Sequence, residues 1–171
     1  AIRPPESPVT EPSYRSVVEM LRSRIRSTPD ARAILHRTGA GWGHLTWREV
    51  GRRVRVQACG LKAMGVGDGD RIAILSSTRP EWVLADMAIL TAGAATTTIY
   101  PSNTAAECAY ILNDSNTVVL FAENEELARK VLSMRAQIPE LRRIVLFGGQ
   151  VPGEDFVVSL EDLERSGAEW D

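Results

Sequence analysis

The sequence predicts an α/β fold: a mostly parallel sheet with flanking helices in Rossmann-like layers. Three observations carry this. From Arg71 onward, short apolar strands alternate strictly with helical patterns, and such alternation with short connections builds a parallel sheet with right-handed crossovers. The runs Ile72-Ala73-Ile74-Leu75 and Val118-Val119-Leu120-Phe121 are continuously apolar, as strands covered on both faces are. Finally, hydroxyl-x-x-Glu boxes precede several apolar runs, a helix-start signal in which the hydroxyl accepts from an orphan N–H and the Glu reaches back.

In chain order, residues 1–13 hold Pro4, Pro5, Pro8 and Pro12 and are expected to be an extended or disordered segment over a surface. Residues 14–171 are expected to form one α/β unit. A helix starts at Tyr14, with Val17, Val18, Leu21 and Ile25 on one face, and ends at Thr28-Pro29-Asp30. Ala31–His36 and His44–Thr46, reversed by Gly39, Gly41 and Gly43, read as a hairpin. Thr46-Trp47-Arg48-Glu49 boxes a helix whose apolar face is Trp47, Val50, Val54, Ala58 and Leu61. The glycines of Gly65–Asp70 stop it.

The alternation then runs as strand Arg71–Ser76, helix Arg79–Leu90, strand Ala95–Ile99 and a helix boxed by Thr104 and Glu107 that ends near Asn113. Strand Thr117–Phe121, helix Glu125–Ala136, strand Arg143–Phe147 and a short helix opened by Ser159 complete it. The helix at Arg79 is expected to be opened by a second box, Thr78-Arg79-Pro80-Glu81, with Pro in its first turn. It is apolar nearly all round and is expected to lie buried between layers, where Asp86 needs a partner.

The 171 residues are 44% hydrophobic and 25% charged, with a formal net charge of −2. These values are ordinary for a globular protein, and the net charge gives no reason to expect nucleic acid or an anionic membrane as partner. No apolar run approaches the ~20 residues that span a bilayer, and the start lacks the apolar core of a signal peptide. Cys59 and Cys108 sit in helical patterns without metal-ligand spacing and read as small buried hydrophobes. The absence of a cysteine framework fits a reducing cytoplasm.

Residue chemistry alone names no reaction. Gly65-Val66-Gly67-Asp68-Gly69-Asp70 follows a helix and precedes a strand, the reverse of a dinucleotide fingerprint, so it reads as a turn. Ser76, Ser77 and Thr78 stand between a strand's carboxyl end and a helix start, where open α/β sheets bind ligands. Helix capping by these hydroxyls is the simpler account. Tyr100, before Pro101, holds the equivalent place after the next strand and reads either as ligand-facing or, more simply, as packed. His36 and His44 flank the glycine turn with no partner at a catalytic spacing, and no nucleophile elbow or Walker loop is present.

Three ordered segments then carry a resemblance: Thr46-Trp47-Arg48-Glu49-Val50, Gly60–Val66 and Gly69-Asp70-Arg71-Ile72-Ala73-Ile74. Together they resemble the opening of adenylate-forming enzymes. Arg79-Pro80-Glu81-Trp82, Asp86–Leu90 with Gly93-Ala94, Ile99-Tyr100-Pro101-Ser102, Ala109–Ser115 and Val118–Glu123 look most like the long-chain fatty-acyl-CoA ligase branch. The resemblance covers about Pro29 to Gly167.

It implies an intact enzyme that joins a fatty acid to ATP-Mg as acyl-adenylate and then to CoA. The phosphate loop and catalytic lysine of that enzyme lie beyond the matching region. No catalytic, cofactor-binding or metal residue carries over, and the chain by itself is expected to be inactive, with the remainder of its own polypeptide as partner. Ser76, Ser77, Thr78 and Tyr100 are the candidate substrate-adjacent residues. Homo-oligomerisation through Tyr14–Ile25 is a further implication. A standalone binding or regulatory module on the same scaffold and a nucleotide-binding Rossmann domain are the competing readings, the latter opposed by the missing fingerprint.

Overall fold

A computed structural model describes residues 14–170; the Pro-rich segment 1–13 lies outside the described residues. Helix α1 (Val17–Ser27) is followed by strands β1 (Arg32–Thr38) and β2 (Gly41–Thr46), then α2 (Trp47–Ala63). The alternating part is β3 (Arg71–Leu75), α3 (Pro80–Thr91), β4 (Ala95–Ile99), α4 (Ala105–Asp114), β5 (Thr117–Ala122), α5 (Glu125–Leu132), β6 (Arg143–Leu146), β7 (Val157–Ser159) and α6 (Leu160–Trp170). β1 and β2 form an antiparallel hairpin. The other five strands form a parallel sheet in the order β4-β3-β5-β6-β7.

Alternation along each strand decides the layers. Ile72, Ile74, Val119, Phe121 and Val145 face α1, α2, α3 and α6, while Ala73, Leu75, Leu120, Ala122, Ile144 and Leu146 face α4 and α5. β3, β5 and β6 therefore fill two cores each, which is why their apolar runs are unbroken. Cys108 is fully buried in the second core, where burial pushes its thiol up, and Cys59 is half-buried.

Two boxes form as the sequence predicts: Thr46 and Thr104 accept from the N–H groups of Glu49 and Glu107, whose carboxylates reach back. The box at Thr78 does not form. Pro80 takes the first helical position, so Arg79 becomes the N-cap and Glu81 sits one residue too early to reach back; no side chain caps α3. The first helix begins at Val17, capped by Ser16, rather than at Tyr14. The helix expected to run to Ala136 ends at Leu132, and a 3₁₀ turn follows at Arg135–Gln137. β7 is a three-residue strand with no sequence signal of its own.

α3 is less enclosed than its composition suggests. Leu84, Ala85, Ala88 and Ile89 are buried, but Val83 and Met87 stay half-open because α1 covers only part of that face. Asp86 finds its partner in Thr96, whose hydroxyl donates at 2.7 Å.

α6 packs on α2 at glycines. A methyl at Gly60 would collide with the Leu163 carbonyl oxygen, and one at Gly167 with the Val56 carbonyl oxygen. The same seam buries Gln57, whose amide donates to Glu164 at 2.8 Å beside the Arg53–Glu164 pair.

Candidate functional site

The strand order places the candidate site. From β3 the chain crosses to β4 on one side and then returns to β5 on the other. Adjacent loops therefore diverge above the carboxyl ends of β3 and β5, opening the crevice in which open α/β sheets bind ligands. Beside it, mainly above the ends of β5 and β6, lies a crevice of about 680 Å³ whose lining includes Arg79, Glu123, Asn124, Arg129, Gly148 and Gly149.

Ser76, Ser77 and Glu123 form one network at this edge. The Ser77 amide and hydroxyl both donate to a single Glu123 oxygen at 2.7 Å, and the Ser76 hydroxyl donates to it at 3.2 Å. The Glu123 amide donates to the Leu75 carbonyl at 3.0 Å, locking the two strand ends together. The Glu123 carboxyl titrates below its ordinary value, chiefly because the Ser77 hydroxyl donates to it, with the Ser77 amide, Ser76 and Arg79 adding to the effect.

Arg79 spans the crevice wall. Its Nε donates to Glu81 at 2.7 Å, its Nη1 lies 3.8 Å from Glu123, and its guanidinium sits 6.0 Å from the Phe147 ring centroid. Burial pushes Glu81 up, but its bond from Arg79 and the charges of Arg79 and Arg53 outweigh this and hold it below the usual range. Arg79 is raised in turn, mainly by its bond to Glu81.

Ser76 is buried and Ser77 exposed, and neither caps α3; their hydroxyls serve Glu123, which corrects the capping expectation. Thr78 is exposed. Tyr100 stands at the end of the edge strand β4, outside the crevice lining, and is 78% exposed. The simpler expectation that it packs is therefore also corrected. The turn beneath it is held by Lys130, whose ammonium donates to the Pro101 and Asn103 carbonyls at 2.8 and 3.0 Å.

Sequence reasoning missed Glu123, Arg79 and the Gly148-Gly149 loop as site residues. The rule that found Ser76, position after a strand's carboxyl end, applies equally to Glu123 and Gly148. Only the strand order shows that these ends are neighbours.

The chemistry of this wall is positional. A carboxylate held anionic by several donors is a poor proton acceptor near neutral pH, and among the described residues no second base bonds to the Ser77 hydroxyl. The donor set does not suit a triphosphate either. Glu123, Glu125 and Glu126 all border the crevice, and the last two occupy the first turn of α5, where an anion would otherwise be welcomed. Among the described residues, no group of three or more His, Cys, Asp or Glu is placed to hold a metal ion. No helix is long and apolar enough to cross a membrane among those residues.

Comparison with known proteins adds what the site chemistry leaves open. The profile of the family described as AMP-binding enzyme matches residues 21–165. Long-chain-fatty-acid–CoA ligase FadD15 of Mycobacterium bovis is 34% identical over 165 residues, 96% of this chain and 27% of the ligase. The chain thus spans about a quarter of the length of that relative. The uncharacterized protein Rv1549 of Mycobacterium tuberculosis is 30% identical over 124 residues, 72% of this chain and 67% of that protein. Among solved structures, the anthranilate CoA ligase AuaEII in complex with anthranoyl-AMP superposes with a TM-score of 0.77 at 27% identity, covering 90% of this chain and 28% of the ligase.

Proposed function

Because this chain belongs to the AMP-binding enzyme family, we propose that it is the N-terminal α/β part of a long-chain fatty-acid–CoA ligase. In this reading the whole protein activates a fatty acid with ATP and Mg to an acyl-adenylate, and CoA thiolate then displaces AMP. The observation that carries it is the 34% identity to a fatty-acid ligase over 96% of the chain.

The chain supplies scaffold in this reading, and the ATP phosphate loop, the magnesium ligands and the catalytic lysine lie in the remainder of the polypeptide. The crevice supports this, since its two arginines are paired with Glu123 and Glu125 and leave no free cation among the described residues to cradle phosphates. Ser77, Thr78 and Tyr100 then face the rest of the enzyme or its substrate, with Ser76 fixing the loop from below. The exposure of Ser77, Thr78 and Tyr100 supports that role. The protein is placed in the cytoplasm on the same reading. Fatty-acid-dependent release of pyrophosphate from ATP tests it: the 171-residue chain alone is expected to release none, and sustained release would overturn the assignment of catalysis to other segments.

A second reading is favoured by one observation: the chain covers two thirds of the uncharacterized mycobacterial protein. There the scaffold serves as a non-catalytic binding or regulatory module. The reading frame after Asp171 separates the two. A Ser/Thr/Gly-rich loop ending in Lys-Gly supports the ligase, and a stop codon supports the module.

A further inference from the structure

A groove of about 420 Å³ opens where the described chain begins. Val17, Met20, Leu21, Arg24 and Ser27 form one stripe along α1 at helical spacing, and all five line it. Trp47, Val83 and Met87 join them in the lining. Tyr14, the first described residue, belongs to the same lining, and its hydroxyl lies 3.4 Å from that of Ser23. The preceding residue therefore starts at the groove's own edge. Arg24 brings a cation into this apolar setting. Its guanidinium lies 5.7 Å from the Trp47 ring centroid, and it makes no ion pair among the described residues.

The other end of the described chain lies elsewhere. Trp170 lines a separate pocket with Arg22, Ile25 and Lys62, on another face of α1. The sequence before Tyr14 suits the groove. At the three-residue period of a polyproline II helix, Ile2, Pro5, Pro8 and Glu11 share one face, and Pro5-Glu6-Ser7-Pro8 has the Pro-x-x-Pro spacing. Ser7, Thr10 and Ser13 share a different, hydroxyl-bearing face.

We propose that the groove is the docking site of the chain's own residues 1–13, held as a polyproline II segment. Pro5 and Pro8 lie against Trp47 and its apolar neighbours, Glu11 meets the Arg24 guanidinium, and the hydroxyl face is turned to water. Proline-rich segments dock on aromatic-lined grooves because the polyproline II form is already made and loses little entropy on binding. The acid at Glu11 matches the one cation of the lining. Attachment at Tyr14 presents the segment at an effective concentration on the order of millimolar, whereas a second copy pays for lost translational and rotational freedom. Reach is ample: at ~3.1 Å per residue the segment spans about 40 Å, against about 16 Å for the 11 residues of α1 at ~1.5 Å each. The proposal stands on this chain's own residues, independently of the ligase reading.

Nuclear Overhauser contacts in the 171-residue chain test it. Contacts are expected between the ring protons of Pro5 and Pro8 and the Trp47 indole and the Val83 and Met87 methyls. Pro5→Ser/Pro8→Ser is expected to abolish them. Glu11→Arg is expected to weaken docking about threefold, the worth of an exposed ion pair, and Arg24→Glu in the same chain to restore it, both read from the intensity of those contacts. An unchanged far-UV circular dichroism spectrum certifies the fold of each variant. No contact between segment and groove, contacts that survive Pro5→Ser/Pro8→Ser, or a Glu11→Arg loss that Arg24→Glu leaves unrepaired would overturn the proposal. So would contacts seen only where light scattering finds a dimer, which give the groove to a second copy, or their loss in a product extended past Asp171, which gives it to downstream chain.

Discussion

Replacing Gly60 with Ala tests the seam that ties the last helix to the domain. Gly60 is buried inside α2, and an added methyl would meet the Leu163 carbonyl oxygen and side chain. A carbonyl in a helix cannot rotate away, so α6 must shift as a body. The shift dislodges Leu163, which is 0% exposed, and stretches the 2.8 Å bond from the buried Gln57 amide to Glu164.

Overpacking of this kind costs about 1–3 kcal/mol, and leaving a buried amide without its acceptor costs about 1–3 kcal/mol more if the bond is lost outright. Ala recovers about 1 kcal/mol of helix propensity. The net expectation is a destabilisation of about 2 kcal/mol, equivalent to a fall in Tm of roughly 4–8 °C for a chain of this size. Urea unfolding followed by tryptophan fluorescence and by circular dichroism measures it. Gly39→Ala is the control, because nothing lies within 4 Å of its added methyl. A Gly60→Ala protein as stable as wild type, or stabilised by its better propensity, would refute the close-packed seam.

Three further outcomes follow from the local chemistry. Thr46→Ala is expected to cost about 1 kcal/mol, the worth of an N-cap, while Thr78→Ala is expected to be neutral, because Arg79 and not Thr78 caps α3; equal losses in parallel urea titrations would restore the discarded box. The folded Glu123 carboxyl titrates below its ordinary value of 4.5, so its contribution to stability is complete above that value and is lost as pH falls through the lower folded value. Glu123→Gln is therefore expected to flatten the acid limb of the stability curve below pH 4.5, and an unchanged limb would count against the Ser76–Ser77–Glu123 network. Lys130→Met is expected to free the Pro101–Asn103 turn, read as faster amide exchange at Asn103 and its neighbours; unaltered exchange would show that Lys130 does not hold it.

Most of the scaffold was legible because its signals are local. Continuous apolar runs, hydroxyl-x-x-Glu boxes and glycine exits each act within a turn or a strand, and the three-layer sandwich follows from their alternation. The failures are those in which a neighbour decides. Pro80 displaced the N-cap from Thr78 to Arg79, and Val157–Ser159 becomes a strand only because β6 offers it an edge.

The candidate site was half legible. The place of Ser76, Ser77 and Thr78 after a strand is readable in the sequence, but Glu123, the partner of Ser76 and Ser77, lies 46 residues from Ser77 and meets it only through the order β3-β5. Tyr100 shows the same limit in reverse: its position suggests packing, yet among the described residues it stands exposed at the sheet's edge.

The central claim is that this chain is scaffold and that nucleotide chemistry belongs to other segments of the family's longer proteins. Calorimetric titration of ATP-Mg, and of a non-hydrolysable fatty-acyl-adenylate mimic, into the 171-residue chain tests it most directly. No heat of binding at millimolar ligand is the predicted result. Saturable micromolar binding would contradict it and make the crevice lined by Arg79 and Glu123 a nucleotide site in its own right.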